Sequence, residues 1–288
     1  DNMCAQLTGD FNDDVSSFLS KNIIIATPDK LDALSRSKIF YKKFMKMVKL
    51  CIVDEANMMG SDLGSSIEVI VDRFKSSNPT LRYVVLATCL SNPLDVAKYF
   101  NVGPNGIYSF TNEARAVPLR SFLRGFPGRH YNARMAAMNK PLSDSIKEHS
   151  QGMPTLVFVS SRKQTRLTAM ELISYANNRG EPYYYQTLEA TEASKKIRNP
   201  DLAHCISFGI GYHNPNMSQS DRKIVEKLFQ SGNLKLLIAS SDLALSCQLS
   251  ARFVVIKGTE YIDQRTNQYI PYTITEMQRM MSCAGRIN

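Results

Sequence analysis

The residues best suited to chemistry are two adjacent acids, Asp54 and Glu55, which end an apolar run from Leu50 to Val53 and lead into Ala56 and Asn57. Carboxylates at a buried strand end can divide the hydrolysis of a nucleoside triphosphate: one holds a magnesium ion through water, the other orients the attacking water. A lone Asp-Glu pair more often caps the next helix, so its surroundings must decide. Downstream another apolar run ends in Ala87, Thr88 and Cys89, and upstream one ends in Thr27, Pro28, Asp29 and Lys30. Small hydroxyl residues and backbone N–H groups at such ends suit contacts with phosphates.

The elements that must hold these residues are legible as six short apolar runs: Asn22 to Thr27, Leu50 to Asp54, Tyr83 to Ala87, Thr155 to Val159, Lys235 to Ala239 and Phe253 to Ile256. Each reads as a strand buried on both faces. Between them lie helical patterns, such as Arg166 to Ala176 and Ser220 to Phe229, the latter preceded by capping residues from Ser218 to Asp221. The alternation predicts an α/β fold of parallel sheets flanked by helices. In such sheets ligands sit at the carboxyl ends of the strands, which singles out Thr27–Pro28, Asp54–Glu55, Ala87–Thr88, Ser160–Ser161–Arg162 and Ser240–Ser241.

A chain of 288 residues, 43% hydrophobic and 21% charged, has room for two folded domains and is not disordered in composition. The formal net charge of +9 is compatible with a polyanionic partner but does not demand one. Six dispersed cysteines without a C-x-x-C pair, and four scattered histidines, argue against a zinc site and a disulfide framework. A reducing, intracellular setting, nuclear or cytoplasmic and not secreted, is expected. The apolar runs are too short to span a bilayer, so the sequence predicts a soluble protein without a membrane partner. With Asp1 rather than Met at its start, the chain reads as an excerpt. Between Thr111 and Gly152, prolines 118, 127 and 141 and arginines 115, 120, 124, 129 and 134 mark a passage between lobes, placed at 1–124 and 125–288. Tyr183 to Tyr185 read as a surface loop.

Taken in order, these segments resemble the Ski-like superfamily 2 helicases with tandem cassettes. The resemblance rests on Ile24 to Asp32, Asp54 to Asn57 and Leu86 to Asn92 in the first half. In the second half it rests on Gly125 to Tyr131, Met138 to Pro141, Val157 to Ala169, Asp221 to Phe229 and Val255 to Tyr261. It implies two RecA-like lobes, ATP and Mg2+ bound between them, and single-stranded RNA or DNA translocated in the 3′-to-5′ direction. Carried over by position, Asp54 holds the magnesium ion, Glu55 orients the water, and Arg286 reaches the γ-phosphate. Asn57 and Arg279 border the nucleotide, while Thr27, Pro28, Ser161, Arg162 and Ser240 face the nucleic acid. An amino-terminal cassette and complex subunits are the implied protein partners.

The departures fall on positions that handle ATP. No Gly-Lys dipeptide occurs in these residues, so the phosphate-cradling loop is missing and poor ATP binding is expected. Asn57 stands where the family has a histidine, which brings the coupling of this box to the next strand end into question. Leu245 to Gln248 stand in place of Trp-Gly-Val-Asn, and Tyr212 to Pro215 in place of His-His-Ala-Gly. The last motif reads Arg279 to Arg286, with Cys283 in place of one of two arginines. Two functions follow: a working helicase motor region, or a catalytically silent cassette that scaffolds or regulates an active partner.

Overall fold

A computed structural model describes residues 3–60, 64–88, 90–128, 130–178, 186–246, 249–263, 266 and 268–285. The chain divides into two compact units, Asp1–Ser109 and Phe110–Asn288. The segment 110–124 therefore groups with the second unit, where the Arg115 guanidinium donates to the Ala284 carbonyl at 3.2 Å. Tyr183 to Tyr185 lie outside the described residues.

The first unit runs β1 (Cys4–Gln6), α1 (Phe11–Ser20), β2 (Ile23–Ile25), α2 (Pro28–Ser35), α3 (Lys38–Met47), β3 (Leu50–Val53), α4 (Gly64–Ser77), β4 (Arg82–Val85) and α5 (Pro93–Tyr99). β1 pairs in parallel with β2, and β3 with β4. Ile24 of β2 packs with Leu7, Phe18 and Leu34. Cys51 and Tyr83 pack with Met45, Ile70 and Phe74, and Val53 and Val85 with Ile67, Val71 and Phe100. Successive strand side chains point to opposite faces, so the alternate set faces away from these helices. Ile23, Ile25, Leu50 and Ile52 are accordingly 54%, 57%, 47% and 60% exposed. The expectation that every strand is buried on both faces therefore fails in this unit. Asp32 locks α2 to α4, accepting from Arg73 at 2.5 Å and from Arg36 at 2.7 Å.

The second unit contains α6 (Tyr131–Ala137), α7 (Asn139–Ser150), β5 (Thr155–Val159), α8 (Arg162–Asn178), α9 (Leu188–Ser194), α10 (Pro200–Ser207) and β6 (Ile210–His213). It continues with α11 (Gln219–Gln230), β7 (Leu236–Ser240), α12 (Leu243–Ser246), β8 (Phe253–Lys257), β9 (Glu260–Ile262), β10 (Tyr269–Pro271) and α13 (Ile274–Met281). Four parallel strands lie in the order β6-β7-β5-β8, and every residue of β5, β6 and β7 is buried. Here the both-faces expectation holds for β5 and β7 but not for the edge strand β8, where Phe253 to Ile256 are only partly buried. The capping residue anticipated for α11 is present, with Ser218 Oγ accepting from the Asp221 N–H at 3.1 Å. The Pro- and Arg-rich passage is not wholly irregular, because its later part forms α6 and α7. Among the described residues, no helix is long and apolar enough to cross a membrane.

Candidate nucleotide and nucleic-acid site

In the first unit the parallel β3–β4 ladder continues past the strand ends: Leu86 N–H donates to Val53 O and Ala56 N–H to Leu86 O, both at 2.9 Å. This brings Asp54–Asn57 and Thr88 together. Asp54 is exposed, and its Oδ1 accepts from the Glu55 N–H at 2.9 Å. Glu55 adopts φ +55°, the left-handed region that a non-glycine residue seldom occupies, and the chain then turns into a short 3-10 helix from Ala56 to Gly60. Backbone strain of this kind gathers at functional sites.

Asn57 is the joint of this arrangement. Its Nδ2 donates to Glu55 Oε2 at 3.2 Å, and its Oδ1 accepts from the Thr88 N–H at 3.2 Å. One amide thus links the second acid to the neighbouring strand end, a bridge that requires a donor and an acceptor on the same side chain. Thr27 and Pro28 lie at the β2–α2 junction, Thr27 exposed at the N-cap and Pro28 in the first turn, where a missing N–H costs nothing.

In the second unit, Arg162 opens α8 directly after β5; its exposed guanidinium donates to Asn216 Oδ1 at 3.0 Å. Asn214 steadies that partner, accepting from the Asn216 N–H at 3.1 Å and donating to Thr165 Oγ1 at 3.1 Å. Ser161 is half-buried and its Oγ accepts from the Gln164 N–H at 3.3 Å. Ser240 is buried and donates to Asp242 Oδ2 at 3.1 Å, so in this conformation its hydroxyl is turned inward. Arg279 of α13 lines a cavity of about 60 Å³ with Ser241, Asp242, Ala244 and Glu276. Cys283 is buried in the main core cluster, 1% exposed. Arg286, Cys247, Gln248 and Cys89 lie outside the described residues.

The site residues therefore fit one part of the chemistry expected for ATP and Mg2+. Asp54 presents an exposed carboxylate suited to a hydrated cation, and Glu55 is held beside it. The described residues offer no phosphate-holding loop, and Cys283 supplies no cation. On their own they do not fit a bound nucleoside triphosphate.

Residues 2–96 match the DEAD/DEAH box helicase family. Over 288 residues, 98% of the chain, it is 41% identical to activating signal cointegrator 1 complex subunit 3 of Danio rerio and 40% identical to that of Homo sapiens. It is also 39% identical to the DExH-box ATP-dependent RNA helicase DExH14 of Arabidopsis thaliana over 93% of its length. The matched family segment contains Asp54 to Asn57 and Thr88. The chain spans only 19%, 13% and 13% of those three proteins respectively.

Several residues of this chain escaped the sequence reading. Asp14 is buried and accepts from the Thr8 and Gly9 N–H groups at 2.7 and 2.9 Å and from the Thr8 hydroxyl at 3.0 Å. Burial alone raises its pKa, but these hydrogen bonds and the charge of Lys30 outweigh it and hold the carboxyl below its usual range. Lys257, at the end of β8, is 4% exposed; its ammonium donates to Asn139 Oδ1 and, at 3.0 Å, to Thr168 Oγ1. A lysine closing an otherwise apolar strand was the available signal. Tyr131 stacks on Tyr269 of the β9–β10 hairpin and its hydroxyl meets that of Ser160, while Arg134 pairs with Glu260 at 2.5 Å. The hairpin is thereby clamped by α6 at the carboxyl end of β5. His213 is buried with Nε2 2.9 Å from Glu226 Oε1, and burial pushes its pKa down against that carboxylate.

Proposed function

We propose that the chain is the nucleic-acid-binding motor region of a Ski-like, ATP-dependent 3′-to-5′ RNA or DNA helicase. In this reading the chain corresponds to the carboxyl-terminal cassette of a helicase of the activating signal cointegrator type, or to that of the spliceosomal tandem-cassette type. In this reading the two units are RecA-like lobes. Asp54 takes the magnesium ion, Glu55 the water, and Arg279 and Arg286 the nucleotide. Thr27, Pro28, Ser161, Arg162 and Ser240 serve single-stranded nucleic acid. An amino-terminal cassette and complex subunits are the partners, in the nucleus or cytoplasm.

The observation that carries the reading is the Glu55–Asn57–Thr88 bridge between two strand ends, inside the segment that matches the DEAD/DEAH box family. Such a bridge ties the water-orienting acid to the next strand end, so the replacement at position 57 keeps a physical link. Because the described residues do not fit ATP on their own, the 288-residue chain is expected to show no nucleic-acid-stimulated ATP turnover. The test is ATPase activity with and without single-stranded RNA. No stimulated turnover is expected, and robust turnover that a Glu55→Gln variant abolishes would overturn this.

A second reading, an ATPase-silent cassette that scaffolds or regulates a partner cassette, is favoured by Cys283. The thiol packs in the main core and its Sγ contacts the Arg279 carbonyl at 3.7 Å, so a core residue stands where the resemblance implies a cation donor. Restoring arginine there discriminates the readings. In a longer polypeptide that carries a phosphate loop, increased turnover in Cys283→Arg supports silencing, and prior full activity of the unmodified protein refutes it.

A further inference from the structure

Arg162 is held at its guanidinium and at its carbonyl by one closed circuit of hydrogen bonds in the second unit. Its exposed side chain donates from Nη1 to Asn216 Oδ1 at 3.0 Å. The Asn216 N–H donates to Asn214 Oδ1 at 3.1 Å, and Asn214 Nδ2 donates to Thr165 Oγ1 at 3.1 Å. Thr165 Oγ1 then donates to the Arg162 carbonyl at 2.7 Å, which returns the circuit to the residue where it began. Thr165 is fully buried and Asn214 is 8% exposed, so the inner links are shielded from water.

The turn that carries Asn216 is stiff for reasons written in its sequence. Asn214 opens a β-turn, its carbonyl accepting from the Met217 N–H at 3.2 Å, and Pro215 fixes φ at the next position. The Asn214 side chain adds an Asx-type bond to the N–H two residues on. β6 ends immediately before this turn and the Ser218 cap of α11 immediately follows it, so both of its ends are held. A long, exposed arginine ordinarily samples many rotamers and loses that freedom on binding. Held by Asn216 through Nη1, Arg162 is ordered beforehand, and its Nε and Nη2 donors lie on the other edge of the guanidinium. That edge matches two oxygens of one phosphate in a bidentate pair.

We infer that Asn216, seated by Asn214 and Thr165, is a positioning residue that presets Arg162 for a phosphodiester group of single-stranded nucleic acid. The inference rests on the nucleic-acid reading of Arg162 and adds to it the residues that aim the guanidinium. Asn216 acts through Arg162 and not through a phosphate contact of its own.

A double-mutant cycle in the 288-residue chain tests it, with affinity for a dye-labelled oligouridylate read by fluorescence anisotropy at fixed salt. Asn216→Ala removes the side-chain acceptor and keeps the backbone N–H that braces the turn, so the variant keeps its fold. It should weaken binding by about three-fold to ten-fold, the equivalent of ordering one side chain. Arg162→Gln should also weaken binding, and adding Asn216→Ala to it should have no further effect. Unchanged affinity in Asn216→Ala beside a loss in Arg162→Gln would overturn the positioning role and leave the nucleic-acid reading standing. An equal loss from Asn216→Ala on both backgrounds would overturn it too, since Asn216 would then act independently of Arg162. Unchanged affinity in Arg162→Gln would remove the reading of Arg162 itself, and the proposal with it.

Discussion

Lys257 gives the sharpest quantitative expectation. Burial pushes its ammonium from 10.5 down to about 8, with the charge of Glu171 working in the opposite direction. The folded state therefore releases this proton before the unfolded state does, and between about pH 8 and 10.5 the unfolded chain binds more protons. Stability contributed by this group is lowest below pH 8 and rises as pH climbs towards 10.5. From 10.5 to 8 at about 1.4 kcal/mol per pH unit, the full amplitude is roughly 3 kcal/mol. Other groups oppose the rise at higher pH. Burial lifts Cys51 from 9.0 to about 11 and Cys205 from 9.0 to about 12, so each favours the folded state less once the unfolded thiol ionises. The clean window is consequently pH 8 to 9, and a variant isolates the lysine. Lys257→Met keeps the stem and removes the charge. It leaves Asn139 Oδ1 and Thr168 Oγ1 to find other partners, a cost of about 1–3 kcal/mol that largely offsets the relieved desolvation at pH 7. Urea unfolding followed by circular dichroism should show the unmodified protein gaining about 1 kcal/mol on the variant between pH 8 and 9, since the folded lysine is already half deprotonated at pH 8. Parallel pH curves for the two proteins would refute the reasoning.

The remaining expectations are local. Asp14→Asn removes a buried carboxylate that binds two backbone N–H groups and should cost about 1–3 kcal/mol at pH 7. Since the folded pKa of Asp14 lies below 3.8, its contribution is present above that pH and is lost as pH falls below it; acid titrations of the two proteins should therefore converge. Asn57→Ala should speed amide hydrogen exchange at Thr88 by about five-fold, the equivalent of one net hydrogen bond of about 1 kcal/mol, as read by NMR or mass spectrometry. Thr273→Ala opens the capping box in which Thr273 Oγ1 accepts from Glu276 N–H at 3.2 Å and Glu276 Oε2 from Thr273 N–H at 2.8 Å. It should lower stability by about 1 kcal/mol in the same urea assay.

The second unit was the more legible in sequence because β5 and β7 are buried on both faces, and continuous apolar runs such as Thr155–Val159 announce that condition. β5 begins and ends where the run does. β6, from Ile210 to His213, was missed because glycine, tyrosine and histidine interrupt its apolar character although all four residues are buried. In the first unit the same continuous-run signal predicted burial that Ile23, Ile25, Leu50 and Ile52 do not have, because a run of apolar residues states what a strand can bury and not what is there to bury it. The acids of the candidate site were visible as a pair at a strand end. Their bridge to Thr88 was not, because spacing along the chain does not report that an amide side chain at 57 reaches a backbone N–H on the neighbouring strand. Asp14 and Lys257 were hidden for the same reason, since a charged residue signals solvent until its hydrogen-bond partners are known.

The most direct test of the motor reading is the affinity of the 288-residue chain for a single-stranded oligoribonucleotide measured as a function of salt. Binding led by phosphate contacts should weaken linearly on a log–log plot with a slope near −0.7 per contact, and Arg162→Gln should lower that slope by about one contact. Affinity that is the same at low and high salt, or a slope unchanged in the Arg162 variant, would contradict it.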